Sequence, residues 1–324
     1  MNPQASLFPS AWLKEAQANL APHIRITPLT YDPQLDIYLK WENHQLTGSF
    51  KARGALNKIL SLQPWEREKG IVAASAGNHG QGVALAARLF NAPVVVFASE
   101  NAPAVKVQAM RELGAEVRLV PGGYGEAEIA GIEYARASDM TWVSPYNDGK
   151  VIAGQATLGM ETLAQLPPGT QFTWLVPVGG GGLIAGIGAA IKSEELAHSA
   201  LQARLIGVQS VASPFMYHLY HHGSQDGVRE EDSLADGLSG PVEANSITIP
   251  LTRTYVDDFV LVTEEEIAQA IRFAWQRYHE RIEGSAAAAL AAALSGRVNF
   301  RPAVVVISGG NIQPELHQRL VNPA

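Results

Sequence analysis

Lys51 stands in Leu46-Thr47-Gly48-Ser49-Phe50-Lys51-Ala52-Arg53-Gly54-Ala55, with small and apolar residues on both sides. A lysine at a helix start among such neighbours loses hydration and faces the positive end of the helix dipole. Its ammonium is disfavoured, and the free amine can attack a carbonyl carbon. A second segment, Val178-Gly179-Gly180-Gly181-Gly182-Leu183, removes four side chains in succession where a helical pattern begins. Bare N–H groups at such a point make a cradle for a single phosphate. The competing reading is a flexible connection between packed elements or a tight strand–helix contact, although each glycine costs about 1 kcal/mol in an ordered helix. No Gly-Lys-Ser/Thr follows, which excludes a P-loop, and a dinucleotide fingerprint lacks both its spacing and its acidic residue. If the cradle reading holds, bulk at Gly180 or Gly181 should keep a phosphate out while the protein stays folded.

Two further loops carry polar groups after apolar runs. In Ser75-Ala76-Gly77-Asn78-His79-Gly80-Gln81-Gly82, Ser75 and the N–H groups of the turn can bind a carboxylate, and Asn78 can donate to a phenolate-type oxygen. His79 and Gln81 on their own read as ordinary structural residues. In Ile307-Ser308-Gly309-Gly310-Asn311, the Ser308 hydroxyl can reach a ring nitrogen or can cap a helix.

These loops need rigid supports, and the sequence shows short apolar runs alternating with helical patterns. Strands are expected at Ile71 to Ala74, Val94 to Ala98, Val117 to Val120, Thr141 to Val143, Phe172 to Val178, Leu205 to Val208, Phe259 to Val262 and Ala303 to Ile307. A helix follows the first to about Phe90, and Pro103 opens one that Gly114 closes. Thr263 and Glu266 form a capping-box pattern, and Ser285 can cap the Ala-rich helix that Gly296 ends. Alternation of this kind predicts an α/β protein with parallel sheets covered on both faces, and ligands then sit beyond the carboxyl ends of the strands.

Composition bounds the rest. The 324 residues are 47% hydrophobic and 17% charged with a net charge of −7, which gives no general attraction to nucleic acid or an acidic membrane. Cysteine is absent, so disulfides and thiolate metal sites are excluded. The uncharged run from Thr162 to Ile191 is broken by Pro167, Pro168, Pro177 and the glycines, and reads as helix, strand, loop and helix rather than a membrane span. Met1-Asn2-Pro3-Gln4 lacks the features of a signal peptide, and a cytoplasmic location is expected.

Taken together and in this order, with Thr27-Pro28-Leu29, Lys40-Trp41-Glu42 and Val151-Ile152-Ala153-Gly154-Gln155, the segments cover nearly the whole chain. They resemble the tryptophan-synthase-like (fold type II) enzymes that use pyridoxal 5′-phosphate (PLP), within them the branch of threonine/serine dehydratases and serine racemases. The resemblance implies two open, largely parallel sheets flanked by helices. PLP would lie in a cleft between a large domain (1–68 and 148–324) and a small one (69–147). It also implies that Lys51 carries the cofactor and is catalytic, with Phe50 against the ring and Asn78 on the ring hydroxyl. Gly179, Gly180, Gly181, Gly182 and Leu183 would hold the phosphate, Ser308 would face the pyridine nitrogen, and Glu283 would stand near the pocket. Ser75, Gly77 and His79 would line the site for the substrate carboxylate.

The implied activity is an ammonia-lyase that eliminates water and ammonia from L-threonine or L-serine. Alternatives are a serine racemase, a lyase for hydroxyaspartate and, outside the class, a non-catalytic ligand-binding protein. Racemases of the branch carry a second Ser where Ala76 stands here, which favours the dehydratase. Their metal site uses acidic residues after a Gly-Val strand. Here Gly207-Val208 leads to Gln209, Ser213 and Phe215, so no such metal is expected. Thirteen residues follow Asn311, too few for a regulatory domain. A small β-hydroxy amino acid is the expected partner, with no nucleic acid or membrane, in a homo-oligomer (dimer or tetramer).

Overall fold

The computed structural model describes residues 8–197 and 203–322. Its strands are β1 (Leu29–Asp32), β2 (Ile37–Trp41), β3 (Ile71–Ala74), β4 (Val94–Ser99), β5 (Glu116–Val120), β6 (Thr141–Trp142), β7 (Phe172–Pro177), β8 (Ala203–Ser210), β9 (Asp258–Val262) and β10 (Ala303–Ile307). They form a six-stranded sheet in the order β1-β2-β10-β7-β8-β9 and a four-stranded sheet in the order β5-β4-β3-β6. Only the β1–β2 pair is antiparallel. The family fold expected from the sequence is therefore present. No helix among the described residues is long and apolar enough to cross a membrane.

The apolar runs are strands because both faces of each sheet are covered. Along β7 and β10, Leu175 and Val305 pack with the Ala-rich helix Gly284–Leu294, while Trp174, Val176, Val304 and Val306 pack with Ile184 and Ile187 of helix Gly182–Ala197. A strand buried on both faces loses the polar alternation and reads as a continuous hydrophobic segment. In the smaller sheet, Ile71, Ala73 and Val96 face Leu56 and Ile59 of helix Lys51–Ser61, whereas Val72, Val95 and Phe97 face the helix Tyr124–Ala137. The helix that begins with Lys51 thus shares the core of the smaller sheet by packing on helices Asn78–Leu89 and Gly149–Gln165, although residues of the larger sheet hold its start.

Two sequence expectations change. β1 and β2 were not foreseen, because Lys40 and Asp32 break their apolar pattern. Both are buried, Lys40 against Glu161 and Asp32 against Arg277. Ser285 is not the cap of the Ala-rich helix. Glu283 occupies that position, and the Ser285 hydroxyl instead accepts the Gly237 N–H at 3.0 Å. The Thr263–Glu266 capping box is formed as expected.

Helix Lys51–Ser61 is fixed by buried charge. The Arg53 guanidinium grips Glu42 through Nε at 2.8 Å and a terminal nitrogen at 2.7 Å, and reaches Glu161 at 2.9 Å. Lys40 donates to Glu161 at 2.5 Å, to Gln165 at 2.7 Å and to the Thr27 carbonyl at 2.9 Å. The partner helix Gly149–Gln165 lies so close that a Cβ on Gly154 would stand 2.6 Å from the Arg53 carbonyl oxygen. Removing one partner of a buried ion pair leaves the others charged and desolvated. Arg53→Ala should therefore lower stability by about 3–5 kcal/mol in urea titration, with Arg53→Lys recovering part of the loss. A loss below about 1 kcal/mol would show that the network is hydrated rather than buried.

Candidate active site

The start of helix Lys51–Ser61 is tied to the loop after β10. The Phe50 N–H donates to the Ser308 carbonyl at 3.1 Å, and Ser49 forms an isolated bridge with Gly309. From this anchored turn the half-buried Lys51 extends its amine to the Pro145 carbonyl at 3.0 Å, with Nζ 5.2 Å from the centre of the Phe50 ring. Burial brings the Lys51 pKa down to about 8, partly offset by the charge of Glu283. The amine is thus far easier to deprotonate than a surface lysine.

Glu283 is buried as well. Burial first, and then Asp236, push its carboxyl up to about 7, against the pull of Lys106 and Asn78. Asn78 donates to Glu283 at 2.7 Å and accepts from Asn311 at 2.7 Å. The amide orientation is thereby set, and one amide hydrogen of Asn78 remains for a ligand.

In the Ser75–Gly82 loop the His79 side chain is a structural one. The His79 ring bonds the Val143 carbonyl at 2.9 Å in the interior, and burial and the Lys51 charge lower its pKa to about 3. It is a neutral structural imidazole, so only the His79 main chain can serve a substrate carboxylate. The first N–H groups of helix Asn78–Leu89 have no intrahelical acceptor and are free to receive an anion. The Ser75 hydroxyl accepts the Gly77 N–H at 3.0 Å and keeps its own proton to donate.

The glycine loop is a packed element, so the tight-contact reading also holds. A Cβ on Gly180 would lie 2.3 Å from the Tyr146 ring, and Gly181 has φ +88° with Met216 and Thr248 against it. Bulk here would disturb the protein before any ligand, which corrects the expectation of a folded Gly180 variant. Among the described residues, the main-chain N–H groups of Gly179 through Leu183 find no protein acceptor. The loop is therefore both tightly packed and open to an anion.

These observations test the fit of PLP to the chain. The Ser308 hydroxyl sits on a residue 3% exposed and has no hydrogen-bond partner among the described residues. With the unpaired N–H row and the neutralisable amine of Lys51, the donor set suits a phosphorylated aromatic aldehyde. Ser75, Gly77, Asn78, Glu283, Ser308, Lys51 and the glycine loop all border one region through the contacts above.

Residues missed from the sequence are Pro145 and Tyr146, which join Lys51 to the glycine loop, and the Lys106–Asp236 ion pair. Pro145 acts through a carbonyl that any residue type would offer, so nothing in its identity signalled it. Tyr146 was signalled weakly, by an aromatic residue in the Ser144-Pro145-Tyr146-Asn147 loop after a strand.

A family model described as pyridoxal-phosphate dependent enzyme matches residues 20–309. The chain belongs to that family. It is 41% identical over 317 residues to the L-threonine ammonia-lyase of Thermotoga maritima, covering 96% of this chain and 77% of the relative. To the catabolic L-threonine dehydratase TdcB of Staphylococcus aureus it is 41% identical over 312 residues, covering 93% and 88%. The structure of maize serine racemase superposes with a TM-score of 0.86 at 28% identity, covering 95% of each chain.

Gly180→Ala should lower both stability and cofactor affinity, because the new methyl drives Tyr146 from its place. Adding Tyr146→Ala should restore part of the thermal stability, by about 1 kcal/mol or more. If the single variant melts like the wild type, Tyr146 does not pack on this loop.

Proposed function

We propose that this PLP enzyme is an ammonia-lyase that converts L-threonine or L-serine to a 2-oxo acid and ammonia by α,β-elimination. The observation that carries the reading is the Lys51 amine, half-buried and lowered to about 8, in a chain related to threonine ammonia-lyases. Bound PLP supplies the electron sink for the pair left when the α-proton departs. Lys51 Nζ would hold the cofactor covalently and, as a neutral amine, would take that proton. The N–H groups of Gly179 through Leu183 would hold the phosphate, and the spare amide hydrogen of Asn78 would meet the ring hydroxyl. Phe50 backs the ring, and Glu283 fixes Asn78.

Ser75, Gly77 and the main chain of His79 orient the substrate carboxylate, which sets the direction of the α C–H bond towards Lys51. The Ser308 hydroxyl would face the ring nitrogen and, being neutral, would not stabilise a positive charge there as a carboxylate would. In this reading residues 69–147 form the small domain and the cleft lies between it and the remainder.

The racemase alternative shares the fold, so the fold does not decide between them. Ala76 does: it offers no exchangeable proton to reprotonate the α-carbon from the face away from Lys51. With L-serine or L-threonine, the wild type should yield ammonia and 2-oxo acid in equal amounts with little D-amino acid. Ala76→Ser should raise the racemised fraction, since general-acid assistance is typically worth about 10²–10⁴-fold. Chiral chromatography reads both outcomes, and abundant D-serine from the wild type would contradict the assignment.

A further inference from the structure

Lys106 and Asp236 form an ion pair that crosses between the two sheets' sides of the molecule. Lys106 lies on helix Ala104–Glu112, which follows β4, and Asp236 opens the 3₁₀ turn Asp236–Leu238; their Nζ and Oδ2 atoms are 2.9 Å apart. A Cβ built on Gly77 would stand 4.0 Å from the Lys106 amine, so this charge overhangs the Ser75–Gly82 loop. The turn that carries Asp236 packs on the glycine loop, where a Cβ on Gly179 would meet Leu238 Cα at 3.1 Å. Its Gly237 N–H is anchored to Ser285, two residues beyond Glu283. Both charges also act on Glu283, in opposite directions. Their exposures differ: the Lys106 side chain is 16% exposed and that of Asp236 is 62% exposed. Lys106 is thus an enclosed cation at the wall of the site, and Asp236 is the anion that neutralises it from the solvent side.

We propose that Asp236 determines specificity: by occupying Lys106 it admits β-hydroxy amino acids with neutral side chains and rejects those with a second carboxylate. The proposal rests on the ammonia-lyase reading above. A second substrate carboxylate meets the like charge of Asp236 and finds the ammonium already paired. Selectivity then comes from an unfavourable element against the competitor rather than an added contact to the preferred substrate. With Asp236 removed, Lys106 remains partly enclosed without its ion-pair partner, and a substrate carboxylate takes that place.

The test uses the cofactor-loaded wild type, Asp236→Asn, and Asp236→Asn combined with Lys106→Met, with L-threonine and L-threo-3-hydroxyaspartate as substrates. The ratio of their kcat/KM values cancels changes common to both, including any altered ionisation of Glu283. Asp236→Asn should raise the hydroxyaspartate-to-threonine ratio by about ten-fold or more, and adding Lys106→Met should abolish the gain. Inhibition constants for L-aspartate relative to L-alanine, neither of which carries a β-hydroxyl, should follow the same order without turnover. The proposal is overturned by equal changes for both substrates, by a gain that survives Lys106→Met, or by a wild type that already prefers hydroxyaspartate. A wild type that deaminates neither threonine nor serine contradicts the ammonia-lyase reading instead, and the aspartate-to-alanine ratio then still decides the role of Asp236.

Discussion

Arg53 meets Glu42 in the interior, and both Arg53 and Lys40 meet the largely enclosed Glu161, so that two cations and two anions gather at one junction shielded from water. The junction joins β2, the helix that begins with Lys51 and the helix Gly149–Gln165. Charges taken from water are tolerated only when each finds partners of good geometry. Here the Thr27 hydroxyl and N–H, Thr157 and Gln165 complete the set. The geometry admits one rotation of the Lys51 helix, and Lys51 lies two residues from Arg53. The network also commits the nearby carboxylates. Glu42 and Glu161 are spent on Arg53 and Lys40, which leaves Lys51 without a paired anion and lets burial lower its pKa.

The remaining charges of the site are arranged so that none is strongly held. Glu283, the carboxylate that acts on Lys51, is itself pushed up to about 7 and is partly neutral at physiological pH. Lys106 is offset by Asp236, and the His79 imidazole is kept neutral by burial. A site with few fixed net charges suits chemistry in which a proton leaves carbon for nitrogen, because strong local fields would pin that proton on one partner. In the proposed reading, the anions are held instead by main-chain N–H groups at two helix starts, after Gly77 and in the glycine loop, whose partial charges do not titrate.

Much of this was legible in the sequence. Strands buried on both faces appear as unbroken apolar runs, and the loops that follow β3, β7 and β10 stood out because glycine, Ser and Asn there have no role in a strand. Lys51 was legible through its small and apolar neighbours. What escaped depended on partners distant in the chain. β2 was hidden because Lys40 looks like a surface residue until Glu161, 121 positions away, is brought beside it. The Lys106–Asp236 pair spans 130 positions and gives no local pattern. The Pro145 contact is made by backbone, which sequence does not distinguish. Ser285 resembled a cap because its type is right, yet the cap lies two residues earlier, at Glu283, and the hydroxyl serves a neighbouring turn. The glycine loop was read for its openness to phosphate, while the packing of Tyr146 that equally demands those glycines could not be seen.

Everything in the account turns on Lys51 being the amine that captures the cofactor in neutral form. The most direct test is to mix cofactor-free protein with PLP across a range of pH, reduce with borohydride and map the fixed label by peptide mass spectrometry. The account predicts the label on Lys51, with the rate of capture rising through about pH 8, where the free amine becomes the major form. A label on another lysine, or a capture rate that climbs only near the ordinary lysine value of 10.5, would contradict it.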